Sequence, residues 1–312
     1  MTPELSIIVP LHDEEEVVGE AHRRLTAVLE KLDRSYEIIW VDDGSRDRTR
    51  RLVGEICERD PSSRLLALSR NFGHQFAITA GMDRSTGRAV VVIDADLQDP
   101  PEVIPELVRR WEAGDQVVYG VRDRREGEGW FKRATAAAFY RLMRRMASVD
   151  IPVDVGDFRL LDRQVVDELQ GMRERSRYVR GMVSWLGFRQ GEVHFVRNRR
   201  FAGRTKYPLG KMLHFAFDGL LSFSVVPLKL ASGLGLLSAG VSFFFIAYGI
   251  VQKYFYPDTV IPGWSSLFSA ILFIGGIQLI CLGVLGEYVG RIYKESKQRP
   301  LYVIDEERNF NP

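Results

Sequence analysis

Two carboxylates one residue apart, Asp94 and Asp96, follow the apolar run Ala89 to Ile93 and precede Leu-Gln-Asp-Pro-Pro-Glu. Carboxylates placed this way at a strand end can hold a hard divalent cation, and a cation there can grip a diphosphate. An Asp-x-Asp triplet is common by chance, and its plain alternative is a solvated turn with Asp99 capping the next helix. The strand-end position favours the functional reading. A second acidic cluster, Asp42-Asp43-Gly-Ser-x-Asp-x-Thr, ends another apolar run. Capping by Ser45 or Asp47 explains one of its residues. It does not explain the adjacent Asp42 and Asp43, which repel each other when buried unless they accept hydrogen bonds, as from a nucleobase and ribose. A third cluster, His12-Asp13-Glu14-Glu15-Glu16, begins where Leu5 to Leu11 stops. For Glu15 and Glu16, a helix start with acids at the positive dipole end is an equal reading.

The elements that must position these residues alternate. Short Ile/Val-rich runs at Leu5 to Leu11, Tyr36 to Val41, Arg64 to Ser69, Ala89 to Ile93 and Gln116 to Val121 are separated by helix-length amphipathic stretches near Glu15 to Asp33, Thr49 to Asp60, Phe72 to Ser85 and Pro101 to Trp111. That rhythm predicts an α/β fold with a mostly parallel sheet and helices on both faces. Ligands of such sheets bind beyond the carboxyl ends of the strands. The polar segments His12 to Glu16, Asp42 to Asp47, Arg70 to Gln75, Asp94 to Asp99 and Arg122 to Arg125 all begin at such ends, so one site on one rim is the economical expectation. A helix is expected around Phe131 to Met146 and a loop over Asp150 to Phe158.

The 312 residues suit roughly two domains, and a net charge of +2 hides their difference. Residues 1–120 hold 15 basic and 23 acidic side chains, 121–229 hold 22 and 12, and 230–312 hold 6 and 6. Apolar content of 46% with 18 Phe, 11 Tyr and 5 Trp excludes a disordered chain. The two cysteines, Cys57 and Cys281, support neither a disulfide framework nor a thiolate metal site. No basic n-region precedes Leu5, so the N-terminal domain is expected to stay in the cytoplasm. Residues 230–252 and 259–286 carry no charge, 23 and 28 positions against the ~20 that cross a bilayer. Two transmembrane helices are predicted, at about 230–252 and 264–286. Basic residues flank both outer ends and the connecting loop has few, so both termini are expected in the cytoplasm at the inner or plasma membrane. The resulting division is an N-terminal cytoplasmic domain over 1–207, an interfacial amphipathic segment over 208–228, two spans within 229–287 and a cytoplasmic tail over 288–312.

Six motifs then occur in order: Val-Pro-x-x-x-Glu (9–14), Val-Asp-Asp-Gly-Ser-x-Asp-x-Thr (41–49), Ser-Arg-Asn-Phe-Gly (69–73), Asp-Ala-Asp-Leu-Gln-Asp-Pro-Pro-Glu (94–102), Gly-Asp-Phe-Arg (156–159) and Gly-Arg-Thr-Lys-Tyr (203–207). With the tail Leu-Gly-Glu-Tyr-Val-Gly-Arg-Ile-Tyr (285–293), the chain closely resembles family 2 glycosyltransferases of the polyisoprenyl-phosphate type from about Leu5 to Leu301. The resemblance implies a GT-A fold that uses a nucleotide-diphosphate sugar with Mg²⁺ or Mn²⁺. It places Pro10, His12, Glu14, Asp42, Asp43, Arg70, Asp94, Ala95 and Arg122 around the nucleotide sugar, and Asp94, Asp96 and Gln98 around the metal. Arg125, Arg200, Arg204 and Lys206 would hold phosphate and acceptor, and the family's frequent self-association implies a homo-oligomer. His12 stands where the family usually has Tyr, and Asp13 where it has Asn.

The basic segment suits phosphates, because Arg forks match their oxygens. Anionic lipid headgroups are the alternative for Arg197 and Arg199; nucleic acid is not an expected partner. Asp157 matches a carboxylate often given a catalytic role in the family, and with Asp96 it forms the expected catalytic pair. A phosphate monoester has a second pKa near ~6 and needs no strong base. Asp157 is therefore expected to orient the acceptor or support Arg159, while His74 shapes the loop after Arg70. The expected reaction is inverting transfer of one sugar, UDP-glucose leading, to undecaprenyl or another polyprenyl phosphate. Alternatives are another donor (a UDP-aminoarabinose derivative, GDP-mannose, UDP-GlcNAc or UDP-galactose) or a non-catalytic membrane scaffold. A processive synthase is disfavoured because no Gln-x-x-Arg-Trp occurs.

Overall fold

The run Leu5–Leu11 forms strand β1, and all of its residues are buried, as in a strand covered on both faces. In the computed structural model, which describes residues 3–122, 155–175, 177–196, 226–255 and 263–310, β1 is followed by α1 (Val18–Leu29), β2 (Tyr36–Asp42), α2 (Thr49–Arg59), β3 (Ser63–Leu68), α3 (His74–Arg84), β4 (Ala89–Val92), α4 (Ile104–Glu112) and β5 (Val117–Arg122). After them come β6 (Val155–Asp162), α5 (Arg163–Gly171), α6 (Val179–Leu186), β7 (Gln190–Phe195), α7 (Val226–Phe255), α8 (Gly263–Ser296) and β8 (Ile304–Arg308). The eight strands form one sheet in the order β7-β5-β6-β4-β1-β2-β3-β8. Pairing is parallel for β1 with β2 and β4, β2 with β3, and β5 with β7; β6 runs antiparallel to β4 and β5, and β8 antiparallel to β3. The expected α/β architecture of GT-A type, mostly parallel, is the one observed.

Burial of Ile7, Val9, Trp40, Leu65, Val91 and Phe158 with the apolar sides of the helices makes the core. α3 lies close on β1: a Cβ on Gly81 would sit 2.4 Å from Ile8 Cγ2, so this helix face needs a glycine. Asp60 closes the turn between α2 and β3. It accepts hydrogen bonds from the Ser62 amide (2.9 Å), the Ser63 hydroxyl (2.8 Å) and His22 Nε2 (2.9 Å).

Two expectations are corrected. Val155 to Phe158, read as loop, lies in β6; its charged residues Asp157 and Arg159 are buried against each other, which hides the strand in the sequence pattern. The segment after α8 is not a plain tail, because Ile304–Arg308 extends the sheet as its eighth strand. Four of these five residues are charged, yet their backbone pairs with β3, and Arg50 meets Asp305 and Glu306 while Arg84 meets Glu307. Tyr302 Oη donates to Asp83 Oδ2 (2.7 Å), the Ser69 amide to the Val303 carbonyl (2.9 Å), and Asn309 Nδ2 to the carbonyls of Cys57 and Ser63 (2.8 Å each). The expected helix at Phe131 to Met146 and most of the expected interfacial segment lie outside the described residues.

The chain divides into two compact units, one bearing the sheet, to which the residues from Arg299 onward belong, and one bearing α7 and α8. Within the helical unit the Cys281 thiol donates to the Ala231 carbonyl (3.2 Å). Phe243, Phe244, Leu279 and Leu282 are exposed, an apolar surface unsuited to water. Among the described residues, one helix segment, Phe273–Ser296, is long and apolar enough to cross a membrane, and α7 contains a shorter apolar stretch, Ala231–Phe244.

Deleting residues 299–312 should lower the thermal midpoint of the detergent-solubilised chain by roughly 5 °C or more; an unchanged midpoint would show that β8 adds nothing to the sheet. Burial alone would raise Asp60, but its bonds to His22, Ser62 and Ser63 bring the pKa to about 2. Its contribution is thus complete above the ordinary carboxylate range and disappears as pH falls through 2. The gap in thermal midpoint between wild type and Asp60→Asn should accordingly be widest above pH 4 and close towards pH 2.

Candidate active site at the sheet rim

The loops after β1, β2 and β3 are tied to one another before any ligand is considered. The amides of Asp13, Glu14 and Glu15 donate to Ser45 Oγ (3.0 Å), Thr49 Oγ1 (2.8 Å) and Asp47 Oδ2 (3.1 Å), and the Arg46 amide returns a bond to Asp13 Oδ1 (2.8 Å). Asp47 also accepts from the Thr49 amide at the start of α2 (2.9 Å). Gly44 has φ +65°, and a Cβ there would lie 2.4 Å from the Arg70 carbonyl carbon, so both conformation and space demand glycine. His12 Nδ1 lies 3.0 Å from the Asp43 carbonyl oxygen, which accepts its proton.

Asp42 and Asp43 do different work. Asp43 spends its carboxylate on the chain: Oδ1 accepts from the Phe72 amide (2.7 Å) and Oδ2 from the Gly73 amide (2.9 Å), fixing the turn that starts α3. Asp42 accepts from the Ser45 amide through Oδ1 (3.2 Å), but its Oδ2 is buried without a hydrogen-bond partner, and burial pushes its pKa up. Such an oxygen is a site waiting for a donor. Pro10 is buried in β1 opposite Val41, and Glu14 is half-buried beside the interlocked loops. Arg70 is exposed with its guanidinium 4.0 Å from the Phe72 ring centroid.

At the end of β4, Ala95 is buried while Asp94 and Asp96 are half-exposed. Asp96 Oδ1 accepts from the Gln98 amide (3.1 Å), closing a turn whose Leu97 has φ +57°. Asp94 Oδ1 is buried without a hydrogen-bond partner and lies 3.5 Å from His74 Nε2. Burial pushes Asp94 up to about 6, against the charge of His74 and with the help of Asp157, Asp99 and Asp96. Among the described residues there is no group of three His, Cys, Asp or Glu that could hold a metal ion by itself. Two carboxylates with an orphaned oxygen still fit Mg²⁺ or Mn²⁺ chemistry, since Mg²⁺ is commonly held by one or two carboxylates plus substrate phosphates. Asp99 does not cap a helix; it is buried and accepts Arg122 Nε on Oδ1 (3.0 Å) and Nη2 on Oδ2 (2.7 Å).

The densest charge cluster surrounds Asp157, on β6. Its Oδ1 accepts from Arg180 Nε (2.9 Å) and Arg159 Nη2 (3.2 Å), and its Oδ2 from His74 Nε2 (3.1 Å), Arg180 Nη2 (3.2 Å) and Gln75 Nε2 (3.4 Å). Burial would raise Asp157, but the His74 bond and the Arg180 charge hold it well below the usual carboxylate range. Burial likewise opposes a charge on His74, yet Asp157 and Asp94 raise its pKa to about 9. Gln75 Oε1 accepts from the Val179 amide (3.0 Å) and so fastens the start of α6 to α3.

The structure thus gathers Asp94, Asp96, Asp99, Arg122 and Asp157, with Asp42, Asp43 and His12 joined through the loop before α3. Arg125, Arg200, Arg204 and Lys206 lie outside the described residues. Sequence reasoning missed Arg180 and Gln75 and gave His74 only a loop-shaping part. Arg180 ends the series Arg173-x-Arg175-x-Arg177-x-x-Arg180, which reads as a solvated basic surface and gives no spacing signal toward Asp157.

Comparison with known proteins agrees with this geometry. Residues 6–170 match the family model for glycosyl transferase family 2, and residues 226–292 match that for the GtrB C-terminal hairpin. The chain is similar to the "Uncharacterized glycosyltransferase YkcC" of Bacillus subtilis, 51% identical over 299 residues that cover 96% of this chain and 92% of the relative. It is also similar to the "Bactoprenol glucosyl transferase" of Shigella phage SfV, 40% identical over 304 residues covering 97% and 99%. Among solved structures, glucosyl-3-phosphoglycerate synthase from Mycobacterium tuberculosis in complex with Mg²⁺ and UDP is similar at 20% identity and a TM-score of 0.47, covering 70% of this chain and 77% of that one. The chain is a glycosyltransferase and belongs to glycosyl transferase family 2, with a C-terminal hairpin of the GtrB type.

Proposed function

We propose that this enzyme transfers one sugar, with inversion, from a nucleotide-diphosphate sugar, UDP-glucose first among donors, to a polyprenyl phosphate at the cytoplasmic membrane face. The observation that carries the lipid acceptor is chain connectivity. The apolar hairpin α7–α8 interrupts a unit whose sheet resumes with β8, so both ends of the hairpin lead to the same folded body. A soluble sheet does not cross a bilayer, which supports an even number of crossings, two spans here, with both termini on the side of the site. The bactoprenol glucosyl transferase relative at 40% identity supports the same acceptor class and the glucosyl donor.

Asp94 and Asp96 would hold a divalent ion against the donor diphosphate, where the ion supplies charge neutralisation for the departing nucleotide. The orphaned Asp42 Oδ2 would accept from the nucleoside, and Asp43 would act by shaping the loop rather than by touching it. The acceptor phosphate, largely ionised at neutral pH because its second pKa is ~6, attacks the anomeric carbon directly. A C–O bond to the acceptor phosphate forms as the bond to the donor diphosphate breaks, and no proton need be removed. An Asp157 held this acidic is a poor base, which supports a positioning part for it.

Purified full-length protein with Mg²⁺, undecaprenyl phosphate and a panel of UDP-, GDP- and dTDP-sugars should yield one lipid-linked hexose by mass spectrometry, from UDP-glucose. Free sugar alone, or no nucleotide release with any donor, would sink the transfer reading and favour the scaffold. Asp94→Asn should reduce turnover by roughly 100-fold or more, and chelation with EDTA should stop the wild type until Mg²⁺ or Mn²⁺ is returned. Full activity in EDTA would exclude the metal.

A further inference from the structure

The charged groups at the end of β6 are unequally accessible. Asp157 keeps 9% of its side-chain surface and Arg159 keeps 1%, whereas Arg180 keeps 30%. Arg180, like His74 at 34%, is therefore more open to a ligand than the carboxylate that both hold. Arg180 sits in the first turn of α6 and forks both oxygens of Asp157, Nε to Oδ1 and Nη2 to Oδ2. A two-point grip of this kind fixes the plane of the guanidinium as well as its position. The Asp157 oxygens are already shared among Arg180, Arg159, His74 and Gln75, so the carboxylate has little left to offer a substrate. His74 stands between Asp157 and Asp94, which puts this cluster beside the carboxylates placed for the donor diphosphate.

We infer that Arg180 is a substrate-binding residue whose guanidinium contacts a phosphate oxygen, and that Asp157 is its buried counter-ion, a positioning residue rather than a base. The inference rests on the transfer reaction proposed above. Both substrates of that reaction present the same chemistry, a phosphate monoester on the acceptor and a diphosphate on the donor. The guanidinium stays charged at any working pH, so its part in binding needs no proton transfer.

Two ligands separate the sources: farnesyl phosphate, with uncharged farnesol as control, for the acceptor, and UDP for the donor. Binding is measured by calorimetry on the detergent-solubilised full chain with Mg²⁺. Arg180→Ala should weaken one of the two phosphates at least tenfold while leaving farnesol unchanged, and Arg180→Lys should recover part of the loss. Loss for farnesyl phosphate assigns Arg180 to the acceptor, and loss for UDP assigns it to the donor. Asp157→Asn should weaken the same ligand, and the double variant should bind no worse than Arg180→Ala alone. Arg180→Lys also guards against misfolding of the alanine variant, provided its thermal midpoint matches wild type. Unchanged affinity for both phosphates in Arg180→Ala would overturn the inference, and so would additive losses in the double variant. If wild type forms no lipid-linked sugar, the transfer reading fails instead; an active wild type beside an Arg180→Ala that binds both phosphates normally fails only this inference.

Discussion

Much of the site hangs on one carboxylate that serves the backbone. By accepting the amides of both Phe72 and Gly73, Asp43 sets where and at what angle α3 begins. The next two residues are His74 and Gln75, and from that start they reach Asp157, with His74 also facing Asp94. A charge-assisted pair of bonds at a half-buried turn resists rearrangement better than packing alone. The acidic loop after β2 and the acidic turn after β4 are thereby held in one frame, although the chain separates them by about fifty residues.

The charge order along the sequence acquires a physical meaning in that frame. The acidic first part supplies Asp96 together with Asp42 and Asp94, each of which has one buried oxygen without a hydrogen-bond partner, while the basic second part supplies Arg122, Arg159 and Arg180. Burying so many carboxylates together is tolerable because each cation is assigned to one of them: Arg122 to Asp99, Arg180 and Arg159 to Asp157. Among the described residues, Asp94 has only His74 facing it at 3.5 Å, and burial, with the like charges of Asp157, Asp99 and Asp96, pushes it up to about 6.

The legible parts of the fold were those whose composition matches their burial. β1 to β5 are built on short apolar runs, and the helices between them carry amphipathic patterns, so both emerge from periodicity. β6 and β8 did not, for opposite reasons. β6 hides a buried ion pair that looks like loop chemistry, and β8 is an edge strand of charged residues held by backbone pairing with β3 and by ion pairs to Arg50 of α2 and Arg84 of α3. In the site, motif residues near strand ends were legible because position and type agreed. Arg180 was not, since only the fold brings α6 against β6, and a cation in a basic stretch carries no mark of its partner.

The place of β8 also orders events during synthesis. Its partner strand, β3, is made early, but the chain must complete both apolar helices before residues 304–308 exist to pair with it. Until then β3 is an open edge, with unpaired backbone groups able to recruit any passing strand. Closure of the sheet is thus deferred until the hairpin has been synthesised. Completion of the soluble fold becomes a report that the anchor has been made.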